Sequence, residues 1–235
     1  MKIEIWSDIM CPFCYIGKRN FESALEQFTH KNQIEVVWKS FQLDPNMPET
    51  SNESQEDYLV KRKGMNRQQV SSMLANVTQT AKNAGLDFHF EKAITANSFK
   101  AHRLIQLAKE NNKGNQAEEV LFKAFFSEGK NITDNNTLIQ LGKEIGLDED
   151  QINAAFTDDK YAYLAKQDIQ EAAQIGVSGV PFFVIDRKYA ISGAQPVEAF
   201  LEALEKSFAE WQKLNPEIKL EVTKGSSCST DGFCE

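Results

Sequence analysis

Strand-forming segments lie near the two ends of the chain, and the long segment between them shows only helical periodicity. Residues 2–7 and 34–43 are short runs rich in β-branched and aromatic residues, with an amphipathic helical pattern between them. Two further strands are predicted at 182–185 and 189–191, and a long helix follows from Pro196. The order β-α-β … β-β-α predicts an α/β sheet domain whose two halves are far apart in the sequence.

The middle of the chain is predicted to be an all-helical insertion covering residues 49–159. Its apolar residues recur at intervals of three and four, which places them on one side of each helix. The stripes are Val70, Met73, Leu74 and Val77; Ala101, Leu104, Ile105 and Ala108; Ala117, Val120, Leu121 and Ala124; and Leu138, Leu141 and Ile145. Residues 1–48 and 160–214 would form the sheet domain, and residues 215–235 a cysteine-containing tail. Because each stripe needs a partner surface, we expect the inserted helices to form a bundle.

Composition and charge exclude several classes of function. Of the 235 residues, 41% are hydrophobic and 26% are charged, which is typical of a globular protein. The formal net charge of −8 argues against nucleic acid or an anionic membrane as a partner. No apolar run approaches the roughly 20 residues of a membrane helix, and the first ten residues have no apolar core of a signal peptide. We therefore expect a cytoplasmic protein.

The four cysteines form two close pairs at opposite ends of the chain: Cys11 with Cys14, and Cys228 with Cys234. Such pairing indicates redox chemistry or metal binding rather than scattered core cysteines. The first pair admits three interpretations: a static disulfide, half of a zinc site, or a redox-active dithiol. Its position at a strand-to-helix junction favours the third, because free N–H groups and the helix dipole stabilise a thiolate at Cys11. Cys14, one turn further in, suits a resolving thiol.

A second feature is Val180-Pro181, which immediately precedes the strand at 182–185. X–Pro bonds are usually trans, and proline at the start of a strand is ordinary. In a β-α-β … β-β-α fold, however, this loop meets the turn that carries the cysteines. A cis proline there would direct the Val180 backbone toward the thiols, where it could pair with an extended substrate.

The chain resembles the DsbA family of the thioredoxin superfamily, and more narrowly its FrnE-like cytosolic branch. The resemblance rests on "SDIMCPFCYIGKRNFE" (7–22), "NSFKAHRL" (97–104) and "FFSEGKNITD" (125–134) and extends over roughly residues 1–212. It implies a thioredoxin-like fold with an inserted helical subdomain. It also implies thiol-disulfide oxidoreductase or isomerase activity without a cofactor or metal.

The resemblance assigns roles to residues of this chain. Cys11 becomes the attacking thiol, Cys14 the resolving thiol and Pro181 the cis proline. Residues flanking them are then expected to contact substrate: Pro12, Phe13 and Val180. The resemblance also suggests that His102 faces the active-site groove and contacts substrate, although an ordinary histidine on a helix face is the simpler interpretation.

Three departures from the family pattern bear on the chemistry. Phe13 stands where periplasmic oxidants carry histidine and cannot donate a hydrogen bond, so we expect a weaker oxidant. Ile5 stands where many relatives bury a proton-relaying acid, and Glu4 points to the other face of the strand. Proton transfer to Cys14 would then need water or another carboxylate, with Asp8 as one candidate. Cys11 replaces the serine of kappa-class glutathione transferases, which disfavours that chemistry.

The tail pair admits several interpretations. Cys228 and Cys234 are separated by five residues including Asp231-Gly232, so a disulfide between them is sterically feasible. They could form a second redox pair that exchanges with Cys11 and Cys14. The alternatives are a passive disulfide, a zinc site shared with the first pair, or free thiols in a disordered tail.

The sequence thus predicts a dithiol-disulfide oxidoreductase or isomerase that acts on protein or peptide thiols, with glutathione or a thioredoxin-type protein as recycling partner. Two rival functions are kept: a glutathione-dependent transferase or isomerase, and a zinc-holding module that uses all four cysteines. Three aromatic residues of the insertion, Phe122, Phe125 and Phe126, are predicted to be core, and Asp148 to be a helix cap.

Overall fold

The computed structural model describes residues 1–49, 53–95 and 97–216 of the chain. Its strands are β1 (Lys2–Ser7), β2 (Glu35–Ser40), β3 (Glu53–Ser54), β4 (Ile94–Thr95), β5 (Phe182–Ile185) and β6 (Tyr189–Ser192). Its α-helices are α1 (Pro12–Gln27), α2 (Gln55–Lys63), α3 (Arg67–Asn83), α4 (Phe99–Glu110), α5 (Gly114–Phe122), α6 (Asn135–Glu144), α7 (Glu149–Thr157), α8 (Asp159–Gln174) and α9 (Val197–Leu214). A π-helical turn, Lys123–Ser127, extends α5.

The main sheet has the strand order β2-β1-β5-β6. β1 pairs in parallel with β2 and antiparallel with β5, and β6 completes a hairpin with β5. All of β1 beyond Lys2 is buried, as expected for a central strand covered on both faces. This mixed α/β arrangement confirms the predicted thioredoxin-like fold class.

Two layers of helices cover the sheet. On one face, Ile3 and Ile5 pack with Phe21 of α1 and Phe200 of α9. On the other face, Trp6 packs with residues of and after α8, including Ala172. The sheet therefore forms its own apolar core from the two ends of the chain, because α1, α8 and α9 bring apolar stripes to opposite sides of it.

Helix α1 also contacts the helical insertion. Its residues Cys14, Tyr15 and Ile16 belong to the core formed by the inserted helices. The Tyr15 ring stacks on Phe122 with centroids 5.0 Å apart. The predicted core aromatics Phe122, Phe125 and Phe126 are fully buried, and Asp148 caps α7 through the Gln151 N–H, so both predictions are confirmed.

The structure corrects one part of the predicted insertion. The segment from 49 to 159 was expected to contain only loops and helices, but β3 pairs with β4 in a small antiparallel sheet. Two-residue strands are too short to show alternating hydrophobicity, which is why the sequence pattern missed them. The domain boundaries at 48/49 and 159/160 stay predictions. Within the described ranges, no helix is both long and apolar enough to span a membrane.

A buried carboxylate joins the sheet to the insertion. Asp168 on α8 accepts hydrogen bonds from the side chains of Gln106 (2.7 Å) and Lys109 (3.1 Å) on α4. It also pairs with Lys39 on β2 at 2.9 Å, and its main-chain oxygen accepts the Trp6 indole N–H. Burial opposes ionisation, but Lys109 and Lys39 outweigh it and hold the pKa of Asp168 below its ordinary value.

We predict that Asp168→Asn lowers the free energy of unfolding by about 3 kcal/mol at pH 7, because it leaves the half-buried Lys109 ammonium without its counter-ion and removes one of the two carboxylates that pair closely with Lys39. A carboxylate with a depressed pKa contributes stability above its unfolded pKa and loses it as pH falls through the folded pKa. The penalty should therefore be complete at neutral pH and shrink below about pH 4. Urea unfolding between pH 7 and about pH 3 measures it.

The matched control is Glu149→Gln, which removes a carboxylate from an exposed ion pair with Lys143. Its effect should stay below about 1 kcal/mol. Equal penalties for the two variants would contradict a structural role for Asp168.

Candidate active site

Cys11 occupies the N-cap position of α1, and Pro12 is the first helical residue. Cys11 has an extended backbone (φ −92°, ψ 111°), and its side chain makes no capping hydrogen bond. The first turn of α1 contains no acidic residue. The sulfur of Cys11 therefore lies at the start of a helix that its own side chain does not cap, which is the geometry the sequence predicted.

The Val180–Pro181 peptide bond is cis, as the family resemblance implies. The Cys11 thiol donates to the Val180 carbonyl with an Sγ–O distance of 3.4 Å. The loop is held in place on its other side by the Gly193 N–H, which donates to the Pro181 carbonyl at 2.8 Å. The chain thus brings together two segments that are 169 residues apart in sequence.

Cys14 differs from Cys11 in its surroundings. Both are free thiols in this structure; Cys11 is 5% exposed and Cys14 is 1% exposed. Burial, followed by the neighbouring Cys11, raises the pKa of the Cys14 thiol well above its ordinary value. The Asp8 backbone and the Ser7 hydroxyl act in the opposite direction. Cys14 is therefore held as a thiol at neutral pH.

A cavity of about 260 Å³ opens beside Cys11. Its walls are mainly apolar and come from α1, the loop after β2, α2, α3 and the segment between α3 and β4; they include Pro12, Phe13, Leu43, Leu59, Leu74 and Phe90. Asp8, Asp44 and Lys63 are the charged residues of the lining. Phe13, between the two cysteines, is 43% exposed, so an aromatic surface faces solvent next to the reactive sulfur.

His102 does not lie where a substrate could touch it. Its side chain has no exposed surface, and its Nε2 lies 3.5 Å from the Asp8 carboxylate. The predicted substrate contact is therefore corrected, because a fully enclosed side chain offers no face to a ligand. The alternative interpretation, an ordinary histidine on a helix face, does not describe His102 either, because its ring lies among buried ionisable groups.

The position predicted to lack a buried acid does lack one: Ile5 is buried, and Glu4 pairs with Arg187 on the other face of β1. The candidate Asp8 is buried, but its carboxylate accepts hydrogen bonds from the N–H groups of Leu43 and Met10. The structure instead reveals Glu118, fully buried on α5, which the sequence reasoning missed.

A sequence signal for Glu118 did exist. It lies three, four and seven residues before Leu121, Phe122 and Phe125, so it belongs to the apolar face of its helix. A carboxylate on such a face is rarely buried without a reason.

Metal binding receives no support from the described residues, among which no group of three or more His, Cys, Asp or Glu side chains could hold an ion. The predicted second pair, Cys228 and Cys234, lies outside the described residues. The interpretations of that pair therefore stay predictions.

A sheet domain of this topology, with one thiol at a helix start and a second thiol buried behind it, defines a thiol-disulfide oxidoreductase of the thioredoxin type. A family model described as a DSBA-like thioredoxin domain matches residues 2–205. The chain belongs to this DsbA-like family, whose members are thiol-disulfide oxidoreductases and isomerases.

Three individual proteins match the chain over most of its length. The chain is 35% identical to a probable DsbA oxidoreductase of Streptomyces coelicolor, with a TM-score of 0.84 and coverage of 100% of this chain and 98% of the other. It is 28% identical over 208 residues to the uncharacterized protein YwbO of Bacillus subtilis (strain 168), covering 86% and 94%. The cytosolic disulfide reductase DsbM of Pseudomonas aeruginosa, solved with GSH, shares the fold at 14% identity, with a TM-score of 0.61 and coverage of 92% and 98%.

We predict that Gly17→Ala slows disulfide exchange about tenfold, because a displacement of a fraction of an ångström at a reacting centre is costly. A Cβ at Gly17 would lie 2.9 Å from Pro181 Cγ, so α1 and the Pro181 ring have to shift relative to each other. Alanine is favoured over glycine inside a helix by about 1 kcal/mol, so overall stability should not fall in proportion. Stopped-flow reduction of a peptide disulfide and urea unfolding separate the two effects.

Gly179→Ala serves as the control, since a Cβ there meets nothing within 4 Å. It changes the same loop without crowding it and should leave the rate within about twofold of the unmodified chain. An unchanged rate of disulfide exchange in Gly17→Ala would contradict the prediction, because it would show that Pro181 can shift without disturbing Cys11.

Proposed function

We propose that this protein exchanges disulfides with protein or peptide thiols through Cys11 and Cys14, and that it needs no cofactor. The observation that carries the proposal is the placement of the Cys11 sulfur at an uncapped helix start, 3.4 Å from the Val180 carbonyl. That placement gives an extended substrate a backbone to lie against while its sulfur meets Cys11.

In the reducing direction, the Cys11 thiolate attacks one sulfur of a substrate disulfide. A Cys11–substrate S–S bond forms, the substrate S–S bond breaks, and its electron pair leaves with the second substrate sulfur. Cys14 then loses its proton and attacks Cys11, which forms the Cys11–Cys14 disulfide and expels the first substrate sulfur as a thiolate. The substrate gains two electrons and the dithiol loses them; the oxidising direction reverses these steps.

Substrate recognition is assigned to the surroundings of Cys11. Pro12, Phe13, Val180 and Pro181 flank the sulfur, and the cavity of about 260 Å³ beside it has room for one large apolar side chain. We infer that the preferred substrate carries an apolar residue next to its reactive cysteine. His102 has no part in this contact, since it is enclosed.

Recycling would use a thiol partner. Glutathione or a thioredoxin-type protein could return the oxidised pair to the dithiol in a cytoplasmic setting, and the fold relative DsbM, solved with GSH, supports glutathione as the first to test. Exchange with Cys228 and Cys234 is part of the same proposal. A redox titration against glutathione, with mass spectrometry of the paired cysteines, measures the potential and tests that exchange.

We predict that, in a chain carrying Cys228→Ser and Cys234→Ser, Cys11→Ser abolishes reaction with a peptide disulfide, whereas Cys14→Ser stops at a mixed disulfide with Cys11. The second variant lacks the thiol that displaces the substrate, so the covalent adduct should accumulate at one equivalent. Mass spectrometry under non-reducing conditions identifies the adduct and the cysteine that carries it.

The same pair of variants tests the rival transferase function. A glutathione-dependent transferase would keep most of its rate without Cys14, whereas disulfide turnover should fall at least a hundredfold, given that covalent catalysis needs both thiols. Full disulfide turnover by Cys14→Ser would overturn the proposed function.

We further predict that Leu74→Gln lowers kcat/KM for a peptide with leucine beside its cysteine by roughly fivefold, about 1 kcal/mol, because part of the apolar wall is lost. The loss should vanish for the same peptide with glycine in that place. Leu214→Gln, which replaces a highly exposed leucine at the end of α9, is the matched control. It should leave kcat/KM unchanged for both peptides. An equal loss for both peptides would argue against the cavity as a binding site.

A further inference from the structure

Several ionisable side chains are enclosed behind the two thiols, where the end of β1 meets α1, α4 and α5. Asp8, Lys18, His102 and Glu118 each expose 2% or less of their surface. Burying charged groups is unfavourable unless they are paired and hydrogen-bonded, so such a cluster calls for a physical reason.

Glu118 is only partly satisfied in this cluster. Its Oε2 accepts a hydrogen bond from the Ser7 hydroxyl at 3.3 Å, while its Oε1 has no hydrogen-bond partner among the residues that the structure describes. Neither ring nitrogen of His102 makes a hydrogen bond to an atom of the described residues, although Nε2 lies 3.5 Å from the Asp8 carboxylate. A carboxylate with a vacant, fully buried oxygen is poorly suited to stabilising the fold but can accept a proton.

Ser7 connects Glu118 to the active site. It is the last residue of β1 and is fully buried. The Ser7 hydroxyl also acts on Cys14, whose thiol pKa it lowers against the larger effect of burial. A hydroxyl can donate one hydrogen bond and accept two, so Ser7 can pass a proton between its two neighbours. The 3.3 Å separation from Glu118 is long, as relay contacts often are before substrate binds.

Asp8 is a weaker candidate for the same task. One of its oxygens accepts the Leu43 N–H at 2.8 Å, and the other accepts the Met10 N–H at 3.3 Å and lies 3.5 Å from His102 Nε2. These bonds fix the loops around the active site and leave no oxygen directed at Ser7 or Cys14 among the contacts of the described residues.

We propose that Glu118, supplied by the helical insertion, takes the proton of Cys14 through the Ser7 hydroxyl when Cys14 attacks Cys11. The proposal rests on the proposed function and deepens it. The Cys14 proton moves to Ser7 Oγ as the Ser7 proton moves to Glu118. The Cys14–Cys11 bond then forms and the Cys11–substrate bond breaks, with its electron pair leaving on the substrate sulfur. Because Glu118 acts through Ser7 and does not touch the sulfurs, it is a positioning residue.

The charge balance around Glu118 supports titration near neutral pH. Burial raises the pKa of Glu118 to about 7, while His102, Lys18 and the Ser7 hydroxyl act in the opposite direction and Asp8 adds to the rise. Lys109, on α4, also faces it. Glu118 is thus a proton acceptor above about pH 7 and a donor below it.

Further charged groups on the packed elements form ion pairs of their own. Lys39 of β2 pairs with Asp168 and Glu171, and Lys143 of α6 pairs with Glu149. In the π-helical turn Lys123 pairs with Glu128, and on α5 itself Glu119 pairs with Lys18 and Arg19.

The test uses the full reduced chain with Cys228→Ser and Cys234→Ser, in excess over the chromogenic aromatic disulfide DTNB. The first thiolate is released when Cys11 attacks, at a rate proportional to protein concentration. The second is released when Cys14 resolves the adduct, at a rate independent of concentration. Since this leaving group needs no protonation, the pH dependence of the second phase reports on Cys14 and its relay.

We expect the second phase to accelerate as pH rises through about 7 in the parent chain. Glu118→Gln, which keeps the shape but cannot accept a proton, should slow it at least about tenfold at neutral pH and move the rise to higher pH, with the first phase unchanged. Glu118→Asp should restore part of the rate and the inflection. Ser7→Ala should match Glu118→Gln, and the double variant should be no slower, because both remove one pathway.

Glu110→Gln, which removes a carboxylate from the ion pair with Lys160 on the surface, should leave the profile unmoved. An unaltered second-phase profile in Glu118→Gln, or a fall of both phases by the same factor, would overturn the relay. If Glu118→Gln fails to fold, Ser7→Ala alone decides the matter by the same readout. Loss of the proposed function looks different: the parent chain would show no Cys14-dependent second phase at all.

Discussion

The packing of α1 between two separate cores is the constraint on which the rest of the structure depends. Phe21, Ala24 and Phe28 point into the sheet core, while Cys14, Tyr15 and Ile16 belong to the core of the helical insertion. A helix held on two sides cannot shift without disturbing both cores, since protein interiors are close-packed. The start of α1, and with it the sulfur of Cys11, is therefore fixed relative to the Val180 carbonyl.

This arrangement divides the two thiols into different chemical environments within one helical turn. Cys11 lies at the rim, beside an open apolar cavity and the exposed Phe13 ring. Cys14 faces inward, where burial and its neighbour keep it protonated. An attacking thiol needs access to substrate, whereas a resolving thiol needs protection from it. The geometry therefore suits Cys11 to attack the substrate and Cys14 to attack Cys11.

Two buried polar clusters illustrate how stability and function can be told apart. The Asp168 carboxylate is well paired, because the side chains of Lys39, Lys109 and Gln106 all contact it. In Glu118 and His102, by contrast, three side-chain polar atoms have no hydrogen-bond partner among the described residues. A fully satisfied network stabilises a fold, whereas a partly satisfied one is unfavourable unless it performs chemistry. The insertion thus covers the sheet and also supplies Glu118 to the proposed proton relay.

The sequence by itself determined the strands at both ends, the helices between them and the position of the C-x-x-C motif at a helix start, because these depend on residues near one another in the chain. Ile5 in place of an acid was also visible there. Only the tertiary structure placed Glu118 behind Ser7, 111 residues away, and enclosed His102 beside Asp8. Periodicity records which side of a helix is apolar, but not which surface that side will meet. The meeting of β1, α1, α4 and α5 is a property of the packed chain, so a local pattern could mark Glu118 as a carboxylate on an apolar helix face but could not place it beside Ser7.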